Sequence, residues 1–390
     1  MPLTRAEADV FVRMGVAAMQ RRAPAEALRI FDDLAARDPD GEPPWLLIAQ
    51  AHRMMGDWTA ESIALDRLLA IEPRNIRGLL MKGDCRAAAH DDRGATSFYQ
   101  LALAAAAARP DMPPTLVPDL DRAEAWLTAQ RTRYEEHLRA TLDAQGVRPD
   151  AIGGRFRQSI EILTGRAQPF YQQPSAFFYP GLPQIQFYER SDFPWLPALE
   201  AETPSLRAEL EAILASGSDG FAPYIEQQPD RPRSTNPLYG DPSWSALYLW
   251  RSGVEIPANA SRAPRAMQAL AAVPMPHIAS RSPMALYSSL RPGAHIVPHN
   301  GLLNTRLICH LPLIAPPGCS FRVGNETRTW REGETIIFDD SIEHEARNDG
   351  TSIRIVLLFE IWRPELSAEE RQALTMLYEA INLYTSQDAA

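Results

Sequence analysis

Apolar positions recur at three- and four-residue intervals through residues 5–108, in short Ala- and Leu-rich stretches broken at Asp38-Pro39-Asp40, Gly56-Asp57, Glu72-Pro73 and Arg109-Pro110. That period predicts amphipathic helices joined by turns. Residues 111–147 open on the Pro-rich DMPPTLVPDL and continue through AEAWLTAQRTRYEEHLRATLDAQ, one further helix ending at Gly146. From about residue 150 the pattern changes: Pro, Gly and aromatics rise, and helical periodicity persists only in SLRAELEAIL at 205–214. Between 284 and 363 it gives way to the short β-branched and aromatic runs MALYSSL, HIVPH, TRLICHLPLI, SFRVG, TRTWRE, ETIIFD and SIRIVLLFEIW. Strands this closely spaced, with no helices between them, predict an antiparallel double-stranded β-helix of the jelly-roll, cupin-like type. Residues 365–384 return to a helix. The expected organisation is multidomain: helical repeats over 1–110, a helical connector over 111–149, and a jelly-roll domain with flanking helices over 150–390.

The helices repeat. PAEALRIFDDLAARDP and WTAESIALDRLLAIEP align with Phe31 on Leu65 and Leu34 on Leu68, and Pro39 and Pro73 lie 34 residues apart; a third unit ends at Pro110, drifting to 37. This stretch resembles the tetratricopeptide family, whose stacked helix pairs present a concave face. The resemblance implies either a docking surface for a peptide or protein partner or a structural cap or dimerisation arm.

Charge narrows the field. A formal net charge of −10 counts against non-specific binding to nucleic acid or anionic membrane, which rests on clustered positive charge. Only Lys82 is a lysine, so arginine carries almost all cationic recognition. Cys85, Cys309 and Cys319 are odd in number and widely separated, which indicates neither a disulfide framework nor a Cys-based zinc site. Glu7, Asp9 and Arg13 interrupt the first apolar stretch, and no run of about 18 uncharged apolar residues occurs. The expectation is a cytoplasmic protein with no membrane span.

Candidate chemistry gathers in four segments of the β-region: Tyr287 to Gly293, Pro298 to Gly301, Arg306 to His310, and Phe338 to Glu345 followed by Arg354. Two histidines 45 residues apart, with an arginine ten residues on, follow the order of a non-haem iron oxygenase on this fold. The usual facial triad adds a carboxylate two residues after the first histidine. Here that position is Gly301. Alternation along TRLICHL puts Arg306, Ile308 and His310 on one face and Leu307 and Cys309 on the other. Arg306 could thus meet a substrate carboxylate or sit in a rim salt bridge. Trp330 and Trp362 read as core, and Asn325-Glu326-Thr327 as a turn.

The joined motifs PHxG (Pro298 to Gly301), NETxTW (Asn325 to Trp330) and FDDSxEHE (Phe338 to Glu345) resemble the aspartyl/asparaginyl β-hydroxylases, over roughly residues 175–365. That family also has Gly where related oxygenases have the acid, and its animal members likewise couple a tetratricopeptide region to this domain. The resemblance implies an Fe(II)- and 2-oxoglutarate-dependent dioxygenase using O₂. It assigns His299 and His344 as iron ligands and Arg354 as the partner of the distal carboxylate of 2-oxoglutarate. Ser288 matches a hydroxyl that contacts the same carboxylate, although Ser289 leaves the register open, and His310 matches a cosubstrate-contacting histidine. The implied substrate is an aspartyl or asparaginyl residue of a peptide or protein. The animal enzymes carry a second arginine where this chain has Ile308, which leaves open a free amino acid, another small molecule, a lipid acyl chain or a non-catalytic adaptor. Of Asp339, Asp340, Glu343 and Glu345, one could supply the missing ligand; otherwise they orient His344, shape the turn or face solvent.

Overall fold

The computed structural model describes residues 3–39, 41–216, 220–226 and 237–387; Asp40 of the first predicted turn lies outside them. The chain divides into two compact units, residues 1–166 and 167–390.

In the first unit, α1 (Arg5–Gln20), α2 (Pro24–Arg37), α3 (Trp45–Met55), α4 (Trp58–Ile71), α5 (Ile76–Ala88) and α6 (Asp92–Ala107) form three helical hairpins of the tetratricopeptide type. Asp57, Asn75 and Asp91 cap α4, α5 and α6 by accepting from the amides of Ala60, Gly78 and Gly94 at 2.8–3.0 Å. The repeat is visible in the packing. Gly15 has room only for the Phe31 ring, and Gly83 only for the Tyr99 ring, because a Cβ at either glycine would fall 2.2 Å or 2.5 Å from that ring. Phe31, Leu65 and Tyr99 are 34 residues apart in turn, as are Leu34, Leu68 and Ala102, and all six are buried. The core therefore keeps the 34-residue period through the third repeat. The drift to Pro110 arises because α6 has 16 residues where α4 has 14, and the turn before Pro110 has one residue more than the turn before Pro73.

The next helix, α7 (Val117–Ala144), continues the stack by burying Ala123 and Leu127 in one cluster with Ile76, Leu79 and Tyr99. The helix Gly154–Leu163, which the sequence places at the head of the second domain, belongs to this first unit. Immediately beyond it, Arg166 pairs with Glu135 of α7 at 2.7 Å. Lys82 is fully buried, held by Asp66 at 2.6 Å and by Ser62 at 2.7 Å, so the single lysine is structural. No helix among the described residues is long and apolar enough to cross a membrane.

The second unit is a double-stranded β-helix. Its strands are β1 (Phe187–Tyr188), β2 (Ala222–Pro223), β3 (Trp244–Arg251), β4 (Val254–Glu255), β5 (Ala285–Leu290), β6 (His295–His299), β7 (Arg306–Ile314), β8 (Cys319–Val323), β9 (Glu326–Arg328), β10 (Ile336–Phe338), β11 (His344–Asn348) and β12 (Arg354–Trp362). The larger sheet runs β1-β10-β7-β12-β5-β3-β2, with β4 beside β3; the smaller runs β6-β11-β8-β9. Every named pair is antiparallel.

Alternation decides which side chains reach the interior. Leu307, Cys309, Leu311 and Leu313 of β7, with Ile355, Leu357, Phe359 and Ile361 of β12, pack outward against Leu206, Leu210 and Leu270 of the covering helices. The opposite faces contribute Ile308, Val356 and Leu358 to a second core shared with Phe321, Val323 and Ala346 of the smaller sheet. Five of these strands escaped the sequence reading. β11 (HEARN) carries Ala as its sole apolar residue, and β1, β2, β3 and β4 lie outside the 284–363 window.

Candidate active site

Between the two sheets opens a cavity of about 470 Å³, lined by side chains from β3, β5, β6, β7, β11 and β12. His299 at the end of β6 and His344 at the start of β11 are direct cross-strand partners. Their ring centroids lie 4.2 Å apart. Nδ1 of His299 donates to the Val297 carbonyl at 2.8 Å, and Nδ1 of His344 to the Ile342 carbonyl at 3.0 Å. A carbonyl only accepts, so both neutral rings carry the proton on Nδ1 and leave the Nε2 lone pair free. Backbone anchoring of this kind is what orients a metal-bound histidine. Burial lowers both pKa values, that of His344 to about 3 with help from neighbouring His299. The rings are thus held in the form that can donate to a metal.

Arg354, the first residue of β12, is 1% exposed and lines the same cavity. Its guanidinium lies 4.6 Å over the Trp330 ring, and Nη1 donates to the Ser288 carbonyl at 3.4 Å. Nε has no partner, and among the described residues no carboxylate lies within ion-pair distance. Burial depresses its pKa to about 10. A buried, uncompensated guanidinium is costly, which makes it a strong site for an anion.

The two polar candidates beside it also face inward. Ser288 is buried, lines the cavity and accepts weakly from Trp244 Nε1 at 3.4 Å. Ser289, the next residue of β5, points to the opposite face and does not line the cavity. His310 receives the Trp330 indole N–H on Nδ1 at 3.4 Å. An indole N–H only donates, so His310 carries its proton on Nε2, the tautomer opposite to the other two rings, and presents a donor. Burial, then the charge of Arg354, hold its pKa well below the usual range.

Arg306 reaches the cavity, but its charge is engaged. It pairs with the fully buried Glu360 and with Asp340 at 3.4 Å. The residue proposed to meet a substrate carboxylate therefore already holds two of the protein's own. The four acidic residues near His344 do not act together. Asp339 is buried against Arg363 at 2.7 Å and Gln172 at 2.7 Å, Glu343 and Glu345 hold Arg322, and Glu345 also holds His295 at 2.7 Å.

Asp340 alone of the four lines the cavity, with Oδ1 unpartnered and its pKa raised to about 6 by burial, against the pull of Arg306. No group of three or more His, Cys, Asp or Glu able to hold a metal occurs among the described residues. Gly301 explains part of this arrangement. A Cβ there would lie 2.1 Å from Asp340 Oδ2, so the Asp340 carboxylate fills the space a side chain at 301 would take. Gly301→Ala should therefore destabilise the protein by about 1–3 kcal/mol, and adding Asp340→Gly should recover part of the loss. Urea melts check this, and a Gly301→Ala protein as stable as its parent would refute the packing argument.

Sequence reasoning missed the wall contributed by Tyr224, Ile225, Trp244, Tyr248, Arg251 and Arg281. Trp244 stacks on Tyr224 at 4.0 Å, Tyr224 lies 6.4 Å from Tyr248, and Trp244 lies 6.4 Å from the His299 ring. No motif marks these positions; the available signal was the apolar-aromatic run WSALYLWR itself.

Residues 200–364 match the family model described as Aspartyl/Asparaginyl beta-hydroxylase. Human Aspartyl/asparaginyl beta-hydroxylase is 35% identical over 178 residues, which cover 45% of this chain and 22% of that protein. Human Aspartate beta-hydroxylase domain-containing protein 2 is 31% identical over 227 residues, 57% of this chain and 59% of that protein. The chain thus spans less than two thirds of either relative. Among solved structures, the tetratricopeptide domain of Sgt2 from Aspergillus fumigatus aligns with 33% of this chain and 85% of its own, at 18% identity and a TM-score of 0.29.

Proposed function

We propose, taking residues 200–364 as an aspartyl/asparaginyl β-hydroxylase domain, that this protein is an Fe(II)- and 2-oxoglutarate-dependent dioxygenase that hydroxylates a C–H bond. The observation that carries the reading is Arg354, a fully buried cation with no carboxylate partner among the described residues, in the same cavity as two histidines whose Nε2 atoms are free. The donor set fits the group. His299 and His344 would hold the metal, nitrogen donors suited to Fe(II), while Arg354, Ser288 and His310 would take the distal carboxylate of 2-oxoglutarate. When bound, Fe(II) with O₂ and 2-oxoglutarate supplies the oxidising power for an unactivated C–H bond, the 2-oxoglutarate leaving as succinate and CO₂.

The protein's own contribution is orientation and exclusion of water. The Val297 and Ile342 carbonyls fix the two rings, so that both Nε2 atoms are set before any ligand arrives. Phe321, Phe338 and Trp330 pack around His310 with ring centroids 5.0–6.1 Å away and keep the cosubstrate end dry. The substrate end is the aromatic wall of Tyr224, Trp244 and Tyr248. The favoured substrate is an aspartyl or asparaginyl residue, with the tetratricopeptide-type unit as the docking surface for the peptide or protein that bears it.

The test is direct. Purified protein given Fe(II), ascorbate and 2-oxoglutarate should release succinate, and mass spectrometry of candidate substrates should find products heavier by one oxygen atom. Iron-loaded, folded protein that neither releases succinate nor is stabilised against heat by 2-oxoglutarate would sink the proposal.

A further inference from the structure

Three arginines besides Arg354 line the cavity, and two of them are neutralised by the protein itself. Arg306 is paired with Glu360 and Asp340, and Arg251 is held by both oxygens of Glu226 at 2.9 and 3.4 Å. Arg281 is not neutralised. Among the described residues it makes no ion pair, its Nε is buried without a partner, and its guanidinium lies 4.7 Å from the Tyr378 ring.

The backbone keeps this side chain in place. Arg281 sits in a tight turn closed by Ile278 N to Ser282 O at 2.8 Å and by Ser282 N to Ile278 O at 3.0 Å, with Ser280 at φ 58°. The turn after β3 presses against it. A Cβ at Gly253 would lie 2.8 Å from the Ile278 oxygen and 2.9 Å from the Ser282 oxygen, so the two turns lock together only with glycine there. Asn382 adds a hydrogen bond to the Ala279 carbonyl at 2.7 Å. A left-handed non-glycine residue costs free energy, and positions of this kind concentrate where a side chain must be aimed.

We infer that Arg281 is the substrate-anchoring cation of this cavity, and that the substrate bears a carboxylate, which this guanidinium grips. The inference rests on the proposed hydroxylase reading and adds which residue selects the substrate and by what charge. A guanidinium presents a planar fork matched to a carboxylate, and against the Tyr378 ring, with Nε shielded from water, each of its bonds is stronger than at an open surface. Arg306, already paired with Glu360 and Asp340, has no comparable capacity to spare.

The test uses the full chain loaded with Mn(II) and 2-oxoglutarate without oxygen. The probes are N-acetyl-L-aspartate methylamide, whose one charge is its side-chain carboxylate, and the corresponding asparagine derivative, with binding followed by ligand-observed NMR. The acidic probe should bind about tenfold or more tightly, the range expected for a charge-assisted pair. Arg281→Gln should erase that preference and Arg281→Lys should restore part of it, with melting curves confirming that both variants fold. Equal binding of the two probes, a preference that survives Arg281→Gln, or no binding of the acidic probe at millimolar concentration would each overturn the inference. If 2-oxoglutarate itself fails to bind the parent protein, the hydroxylase reading falls and this inference with it; binding of 2-oxoglutarate without discrimination between the probes removes the inference alone.

Discussion

His344→Ala and His299→Ala proteins should release no succinate above background and should retain little iron, while remaining folded. The reason lies in how the rings are held. Each is fixed through Nδ1 to a carbonyl two residues earlier in its own segment, so each supplies a single Nε2 donor that no neighbouring side chain can replace. Among the described residues no third His, Cys, Asp or Glu joins them in a metal-binding group. Loss of either ring removes one of two protein donors. Stability should fall only modestly, because each neutral ring lines the cavity and spends its Nδ1 hydrogen bond locally, on a carbonyl two residues earlier. Iron content, succinate release and melting temperature, measured side by side, decide the matter; undiminished turnover in either variant would refute the ligand assignment.

Arg354→Met separates a cosubstrate anchor from a structural arginine. If Arg354 binds the distal carboxylate of 2-oxoglutarate, its loss should weaken that binding by about 2–5 kcal/mol, a rise in the 2-oxoglutarate requirement of roughly 30-fold or more. The ligand-free protein should melt no lower than its parent. Methionine fills much of the same space without a buried charge, and no carboxylate among the described residues is left stranded by the change. An arginine kept for an internal ion pair predicts the opposite pattern, with a lower melting temperature and an unchanged 2-oxoglutarate requirement. Titrating 2-oxoglutarate against succinate release, beside thermal melts without it, reads both quantities.

Arg363 shows how that opposite pattern would arise. It is as deeply buried as Arg354, yet it is tied to Asp339 at 2.7 Å and to the carbonyls of Asn304 and Pro183. Together with Gln172, which also reaches Asp339, it fastens the turn that delivers His344 to the cavity. Removing it would strand a buried carboxylate and lower stability first. Two arginines nine residues apart on and just beyond one strand thus carry different duties, and the difference lies in their partners.

What the sequence by itself determined was most of what depends on local pattern. The three- and four-residue apolar spacing specified the helical repeats and the 34-residue interval between Phe31 and Leu65, while the burial of Tyr99 at the same interval in the third repeat came only with the structure. Strand alternation placed Arg306, Ile308 and His310 on the inner face of β7, and the motifs around His299 and His344 marked the pair that meets across β6 and β11. Tertiary structure alone decided which charges are free. Arg306, Arg354 and Arg363 are chemically identical in the sequence, and what distinguishes them is whether Glu360, Asp340 or Asp339, each distant along the chain from at least one of its partners, folds against them. The same holds for Asp340, which occupies the space left by Gly301, and for the aromatic wall from β3. Side-chain period fixes the face on which a residue lies, because it follows from backbone geometry within one strand. Ionic partnership is settled by packing between segments that no single-chain period can register.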